Sequence, residues 1–256
     1  MRFDIITLFP ELFAPLMQSG IIRRAFEPRE DGSRTIELHF TQPRDFADGN
    51  YRRIDDRPFG GGPGMLMMAE PLARCVESIQ AERASLGLPV CPVVHFSPAG
   101  QPLSHAVVAR FAQVHPAQQV KTGAILVCGR YEGIDQRFVD TFITDQISLG
   151  DFVLSGGEIP AMAMLDAIAR LQPGVLGDEQ SHAQDSFNPA MGGLLDHPHY
   201  TRPEVWRGKS VPSVLLSGNH AEIERWRLAQ RLSITQSHRP DIQSANSTPP
   251  LGHSPA

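Results

Sequence analysis

The sequence predicts an α/β fold built on a parallel sheet, followed by a smaller and mainly helical unit. Three observations carry that prediction. Apolar strand-like runs at residues 93–96, 124–127 and 143–147 alternate with helical stretches, as in layered strand–helix folds. Two glycine-bearing segments stand where strands would hand over to helices. They are Cys128-Gly129-Arg130-Tyr131-Glu132-Gly133-Ile134-Asp135 and Leu149-Gly150-Asp151-Phe152-Val153-Leu154-Ser155-Gly156-Gly157-Glu158. Beyond Pro173 the chain turns polar and glycine-rich, which marks a change of domain.

Along the chain, Met1-Arg2-Phe3-Asp4-Ile5-Ile6-Thr7-Leu8-Phe9 reads as a first strand stopped by Pro10. Its acidic residue and the proline argue against a signal peptide, so a cytoplasmic protein is expected. A glycine-rich loop follows, Asp55-Asp56-Arg57-Pro58-Phe59-Gly60-Gly61-Gly62-Pro63-Gly64-Met65. It suits a flap, a backbone nest for an anion or base, or a plain turn. Residues 93–96 are expected to enter a turn at Ser97-Pro98-Ala99-Gly100, with a helix over 103–114. The unbroken apolar run 124–127 reads as a strand covered on both faces. Residues 143–147 lead into the second glycine segment and a helix over 159–171. Pro160 lies in the first turn of that helix and Pro173-Gly174 beyond its end.

Loops after parallel strands gather on one sheet edge. The Pro98, Gly129 and Gly150 loops are therefore expected around one ligand site made largely of main chain. The first domain is read as 1–174 and a flexible linker as 175–193. A small helical domain follows over 194–240, then a disordered tail over 241–256. The clearest element of the small domain is a helix opened by Asn219, with Glu222 completing a capping box. Ile223, Trp226 and Ala229 are expected along its inner face.

The bulk properties narrow the function. The 256 residues, 41% of them hydrophobic, can build a real core, and no stretch is long enough to span a membrane. A net charge of −5 argues against a general electrostatic grip on nucleic acid. A local patch remains, because seven basic residues between His197 and Arg239 face three glutamates. A solvated helix face accounts for that patch equally well. Cys75, Cys91 and Cys128 show no CxxC spacing, so neither a disulfide framework nor a zinc knuckle is expected. No Gly-x-Gly-x-x-Gly follows the first strand and no Walker A motif occurs, which weakens the dinucleotide and NTPase readings. His197-Pro198-His199 has no further ligands at regular spacing, and no metal ligand set is assigned.

Six motifs in order make the chain resemble the bacterial tRNA (guanine-N1)-methyltransferase family, TrmD, of the SPOUT class. They are Ile5-Ile6-Thr7-Leu8-Phe9-Pro10, the Asp55–Met65 loop, the two glycine segments, Asp185-Ser186-Phe187, and His199-Tyr200-Thr201-Arg202-Pro203-Glu204-Val205-Trp206. The resemblance implies a SPOUT-type sheet whose C-terminal part forms a deep trefoil knot. It implies a homodimer whose sites are completed by the partner subunit. The implied donor is S-adenosylmethionine, and the implied acceptor is N1 of the guanosine just 3′ of the anticodon in tRNA.

The donor contacts implied are Pro98, Gly129, Tyr131, Glu132, Gly133, Leu149, Gly150, Asp151, Phe152, Val153, Leu154, Gly156 and Gly157. The tRNA contacts implied are Asp55, Gly60, Gly61, Gly62, Pro63, Gly64, His199 and Arg202. Neutral guanine carries a proton on N1, so transfer needs a base there and a positive group at O6. By resemblance Asp185 is the base, although a loop aspartate also suits a helix cap or turn. Arg170 is the candidate at O6, and equally a cation placed at a helix C-terminus. Glu132 could face the cationic donor or help hold Mg²⁺ near Asp185. Two other readings stay open: a methyltransferase acting on another RNA position such as a ribose 2′-hydroxyl, and a non-catalytic RNA-binding module.

Overall fold

The computed structural model describes residues 1–113, 122–177 and 182–242. The chain divides into two compact units, Met1–Gly177 and Asp178–Ala256. In chain order the first unit contains β1 (Arg2–Ile6), α1 (Ala14–Gln18), β2 (Glu37–Thr41) and the short β3 (Asp55–Asp56) and β4 (Leu66–Met67). Then come α2 (Ala69–Ser85), β5 (Val93–Pro102), α3 (His105–Ala112), β6 (Ala124–Val127), α4 (Gln136–Phe142), β7 (Asp145–Ser148) and α5 (Glu158–Arg170).

Five of these strands form a parallel sheet in the order β2-β1-β6-β5-β7. Central β6 shows why the run Ala-Ile-Leu-Val lacks polar alternation: all four residues are buried. Ala124 and Leu126 pack with Phe3, Ile5 and Val94 under α3 and α5. Ile125 and Val127 point the other way, to Val93 and to Leu72, Val76 and Phe138 of α2 and α4. Helices therefore cover both faces, and the strand C-termini share one edge. Val175 joins the first cluster, so core packing continues past Pro173.

Two predicted elements near β5 are corrected. Ser97-Pro98-Ala99-Gly100 is not a terminal turn. Phe96 and Gln101 both align with Ile147, so residues 97–100 bulge out of the ladder and β5 resumes afterwards. The return is tight, because a side chain at Gly100 would collide with the Ile147 backbone. The helix expected over 103–114 begins later. The Leu103 N–H is spent on the Ser148 carbonyl at 2.8 Å, which prolongs the strand pairing. Ser104 then caps the helix, its hydroxyl accepting from the Val107 N–H at 3.4 Å. Val114 lies outside the described residues.

Described residues of the second unit form three 3₁₀ turns (His182–Gln184, Pro189–Met191 and Ser213–Leu216), a hairpin of β8 (Val205–Trp206) and β9 (Lys209–Ser210), and α6 (His220–His238). Within the stretch expected as a linker, the Phe187 N–H donates to the Leu194 carbonyl at 2.9 Å and the Gly193 N–H to the Asn188 carbonyl at 3.0 Å. Asn219 caps α6, its side-chain oxygen accepting from the Glu222 N–H at 3.3 Å. The return half of the capping box is replaced, since the Asn219 N–H donates to the Ser217 hydroxyl at 3.1 Å. Ala229 is exposed rather than inward; the inner face continues from Ile223 and Trp226 to Arg231 and Thr235. The predicted tail beyond residue 242 lies outside the described residues. Among those described, no helix is long and apolar enough to cross a membrane.

Candidate functional site

Around the C-terminal edge of the sheet, the β5 bulge, the β6 loop and the loop from β7 to α5 enclose a cavity of about 320 Å³. Pro98 lines it from the bulge. Gly129, Tyr131, Glu132 and Gly133 line it from the β6 loop. Leu149, Phe152, Val153, Leu154, Gly156 and Gly157 complete it. Gly150 and Asp151, expected as contacts, are not among the lining residues. Gly150 sits behind the wall, where a side chain would come within 2.7 Å of the Phe152 ring. It governs where that ring stands rather than touching the cavity.

The glycines explain how the wall closes. The Gly157 N–H donates to the Gly129 carbonyl at 3.0 Å. A Cβ on Gly157 would lie 2.7 Å from the Cys128 Cα, and one on Gly156 would strike the Arg130 side chain. Only bare backbone lets the start of α5 seat on the β6 loop. That seat is locked by charge. Glu158, 1% exposed, accepts from the Thr7 hydroxyl at 2.8 Å and from Arg130 Nε at 3.2 Å, while its other oxygen faces Arg130 Nη2 at 3.0 Å. Arg130 also donates to the Ser155 carbonyl at 3.2 Å and lies over the Phe9 ring, 4.4 Å from its centroid. One guanidinium thus ties the end of β1, the β6 loop and α5 together.

The predicted RNA loop meets the same edge. The Met67 N–H donates to the Gly133 carbonyl at 2.8 Å, and the Glu132 N–H to the Met65 carbonyl at 3.0 Å. Gly64, at φ +79°, passes so close to Glu132 that a side chain there would collide with the carboxylate. Tyr131 stands at φ +60°. Burial, and then the charge of Asp55, push its phenol above the ordinary tyrosine range, with Arg44 acting the other way. Asp55 and Gly64 are therefore gathered beside the cavity. Gly60, Gly61, Gly62 and Pro63 are exposed, and next to them Phe59 is 99% exposed.

Arg170 ends α5, and its charge bears on Asp166 one turn earlier. Burial holds the Asp166 carboxyl above its usual range, and Arg170 pulls it down. Asp185 follows the 182–184 turn, its N–H donating to the His182 carbonyl at 3.4 Å. The two belong to different units. In the second unit, His199 meets Asp196 at 2.8 Å and Arg202 is exposed. Asp196 is the neighbour that spacing did not offer to His197 and His199: their ligating atoms lie within 4.8 Å of one another. The same carboxylate pairs with Arg231 at 2.7 Å, so a protein cation already neutralises it. Burial opposes the Asp196 charge, but His199, the His197 N–H and Arg231 outweigh it and hold the carboxyl low.

Sequence reasoning passed over three groups: His95 and the Arg130 side chain in the cavity lining, and Glu158, buried behind Arg130. Only His95 left a local signal, a lone polar residue inside the apolar run Val93-Val94-His95-Phe96. The cavity combines apolar walls at Phe152, Leu154 and Pro160, main-chain edges at the glycines, and an acid at Glu132. Such a lining suits a ligand with a flat heterocycle and a positive centre.

Comparison with known proteins agrees with this geometry. Residues 1–245 match the family model of tRNA (guanine-1)-methyltransferase TrmD. A tRNA (guanine-N(1)-)-methyltransferase of Albidiferax ferrireducens is 63% identical over 242 residues, covering 94% of this chain and 91% of that protein. One from Polaromonas sp. is also 63% identical, covering 94% and 89%. One from Methylibium petroleiphilum is 54% identical over 248 residues, covering 96% and 91%. Matched from its first strand to the end of its described C-terminal helix, this chain belongs to the tRNA (guanine-1)-methyltransferase family.

Proposed function

We propose that this chain methylates N1 of the guanosine immediately 3′ of the anticodon, position 37 of tRNA, with S-adenosylmethionine as donor. The observation that carries the reading is the glycine-walled cavity at the sheet edge, in a chain that belongs to the tRNA (guanine-1)-methyltransferase family. When bound, the donor supplies a methyl group on a sulfonium cation. The residues of this chain do the rest. Backbone at Gly129, Gly156 and Gly157 accommodates the heterocycle, and Phe152 and Leu154 pack on it. Glu132 opposes the positive charge. Gly150 and Asp151 support the wall. The cavity fits this ligand because four glycines of its walls and bulge (Gly100, Gly129, Gly156, Gly157) stand where any Cβ would crowd a neighbour.

Asp185 takes the N1 proton and Arg170 meets the charge that grows on O6. The target base leaves its stack to expose N1. Asp55, residues 60–64, His199 and Arg202 hold the tRNA. The enzyme works as a cytoplasmic homodimer, and the stretch leading into α5 forms the trefoil knot. A requirement for Mg²⁺ is a further element of the proposal, tested by turnover with and without a chelator.

Incubation with labelled donor and total tRNA, followed by nucleoside identification, is expected to give N1-methylguanosine. A 2′-O-methyl product, or RNA binding without transfer, would overturn the reading. Asp185→Asn is expected to cut turnover by ~10² or more while donor affinity stays within twofold. Wild-type turnover in that variant would remove Asp185 from the chemistry.

A further inference from the structure

We propose that Asp196, His197 and His199 form a binding site for a Zn²⁺ ion in the second unit. One ligating atom from each side chain lies within 4.8 Å of the other two. Two imidazoles and a carboxylate suit zinc and its transition-metal neighbours, whereas Mg²⁺ and Ca²⁺ favour sets made of oxygen. A tetrahedral ion holds its ligand atoms roughly 3.4 Å apart. His199 Nε2 stands 2.8 Å from Asp196 Oδ2, and His197 Nε2 stands 3.8 Å from Oδ1, so the present spacings bracket that value.

The hydrogen bonds around the three side chains leave ligand atoms to spare. His197 Nδ1 lies 3.0 Å from the Pro198 carbonyl. A carbonyl only accepts, so Nδ1 carries a ring proton and Nε2 is the atom left for an ion. The His197 side chain is 7% exposed, and its Nε2 meets no hydrogen-bond partner among the described residues. The residue lines a cavity of about 530 Å³ within the second unit, which gives the ion and its waters a way in. Asp196 Oδ1 is already spent on the His197 N–H and on Arg231 Nη2, each at 2.7 Å. Oδ2 meets His199 alone. The ion takes the place of the proton now held between His199 Nε2 and Oδ2, and that proton passes to solvent or to Nδ1. A ring N–H tied to a backbone carbonyl, and a carboxylate whose second oxygen is hydrogen-bonded, are the outer contacts that orient metal ligands. Arg225, Arg227 and Arg231 line the same cavity, and their charge weakens the hold on the ion without removing any ligand. Water completes the coordination. Through the Arg231 pair the bound ion fastens residues 196–199 to α6.

The test uses the full chain, stripped of metal with a chelator and then dialysed free of it. Co²⁺ stands in for Zn²⁺ because its visible absorption reports nitrogen ligands and low coordination. One Co²⁺ per chain is expected to bind with such a spectrum, to be displaced by Zn²⁺ and to be unmoved by excess Mg²⁺. No binding, or displacement by Mg²⁺, would overturn the site. His199 is exposed, so His199→Gln tests the ligand set without putting the fold at stake. Calorimetry is expected to show its Zn²⁺ affinity reduced roughly tenfold or more. The rise in thermal midpoint that Zn²⁺ gives the wild type should shrink with it. Unchanged affinity in that variant would place the ion elsewhere and overturn the proposal. Proton NMR of the wild type checks His197 without a variant. Zn²⁺ is expected to shift the ring resonances of His197 and His199 together, and a shift confined to other histidines would overturn the assignment.

Discussion

β1 carries a buried ion network towards each end, and the two do different things. In the N-terminal half, Asp4 is 1% exposed and is shared by Arg2 and Arg83; Arg83 approaches it at 2.7 Å and also donates to the Thr122 carbonyl at 2.6 Å. Beyond the C-terminal end, Thr7 joins Glu158 and Arg130. The acids are equally buried, but the cations are not. The Arg83 side chain is 2% exposed, while that of Arg130 is 19% exposed and lines the cavity. The first network is a closed fastening between β1 and α2. The second is a fastening with one face open to ligand. Burial of the cation separates a structural ion pair from one that shapes a site.

Three substitutions test that contrast, in order of expected effect. Asp4→Ala strands the buried Arg83 guanidinium and leaves Arg2 with only the half-exposed Glu82, and the stability measured by urea unfolding is expected to fall by about 3–5 kcal/mol. Donor affinity of the folded protein should stay within twofold. A clear loss of affinity would mean that the two ends are coupled, and the contrast would fail. Arg130→Ala leaves Glu158 buried with only the Thr7 hydroxyl. Solvent reaches this pair from the cavity side, so a smaller stability loss of about 2 kcal/mol is expected. Donor affinity should drop at least tenfold as the wall between the β6 loop and α5 loosens. Intact affinity by calorimetry would make Arg130 as purely structural as Arg83. Gly150→Val drives a branched side chain into the Phe152 ring. Donor affinity should fall about tenfold, and urea stability by about 1–3 kcal/mol, because φ +157° at Gly150 strains a branched residue. Unchanged affinity would show that Phe152 does not form the donor wall.

Local signals carried much of the fold. The apolar run of β6, the proline near the start of α5 and the Asn219 cap act within a few residues, so the sequence alone could display them. The errors fell where long-range pairing overrode local preference. Ser97-Pro98-Ala99-Gly100 looks like a turn, yet Ile147 aligns with residues on both sides of it and the strand resumes. Leu103 suits a helix, yet its N–H is drawn to Ser148. Ala229 suits an apolar face, yet Arg231 and Thr235 take the inner positions, where Asp196 and the Leu195 N–H meet them.

By itself, then, the sequence determined the layered architecture, the two glycine loops and the family. Each of these is written in short segments whose backbone needs are local. Tertiary structure alone decided that β6 lies between β1 and β5, and that Thr7 reaches Glu158 across 151 positions of chain. It also decided that His95 turns its ring to the cavity wall. Those contacts depend on which strands become neighbours, and that follows from how the whole core packs rather than from any stretch of residues read alone.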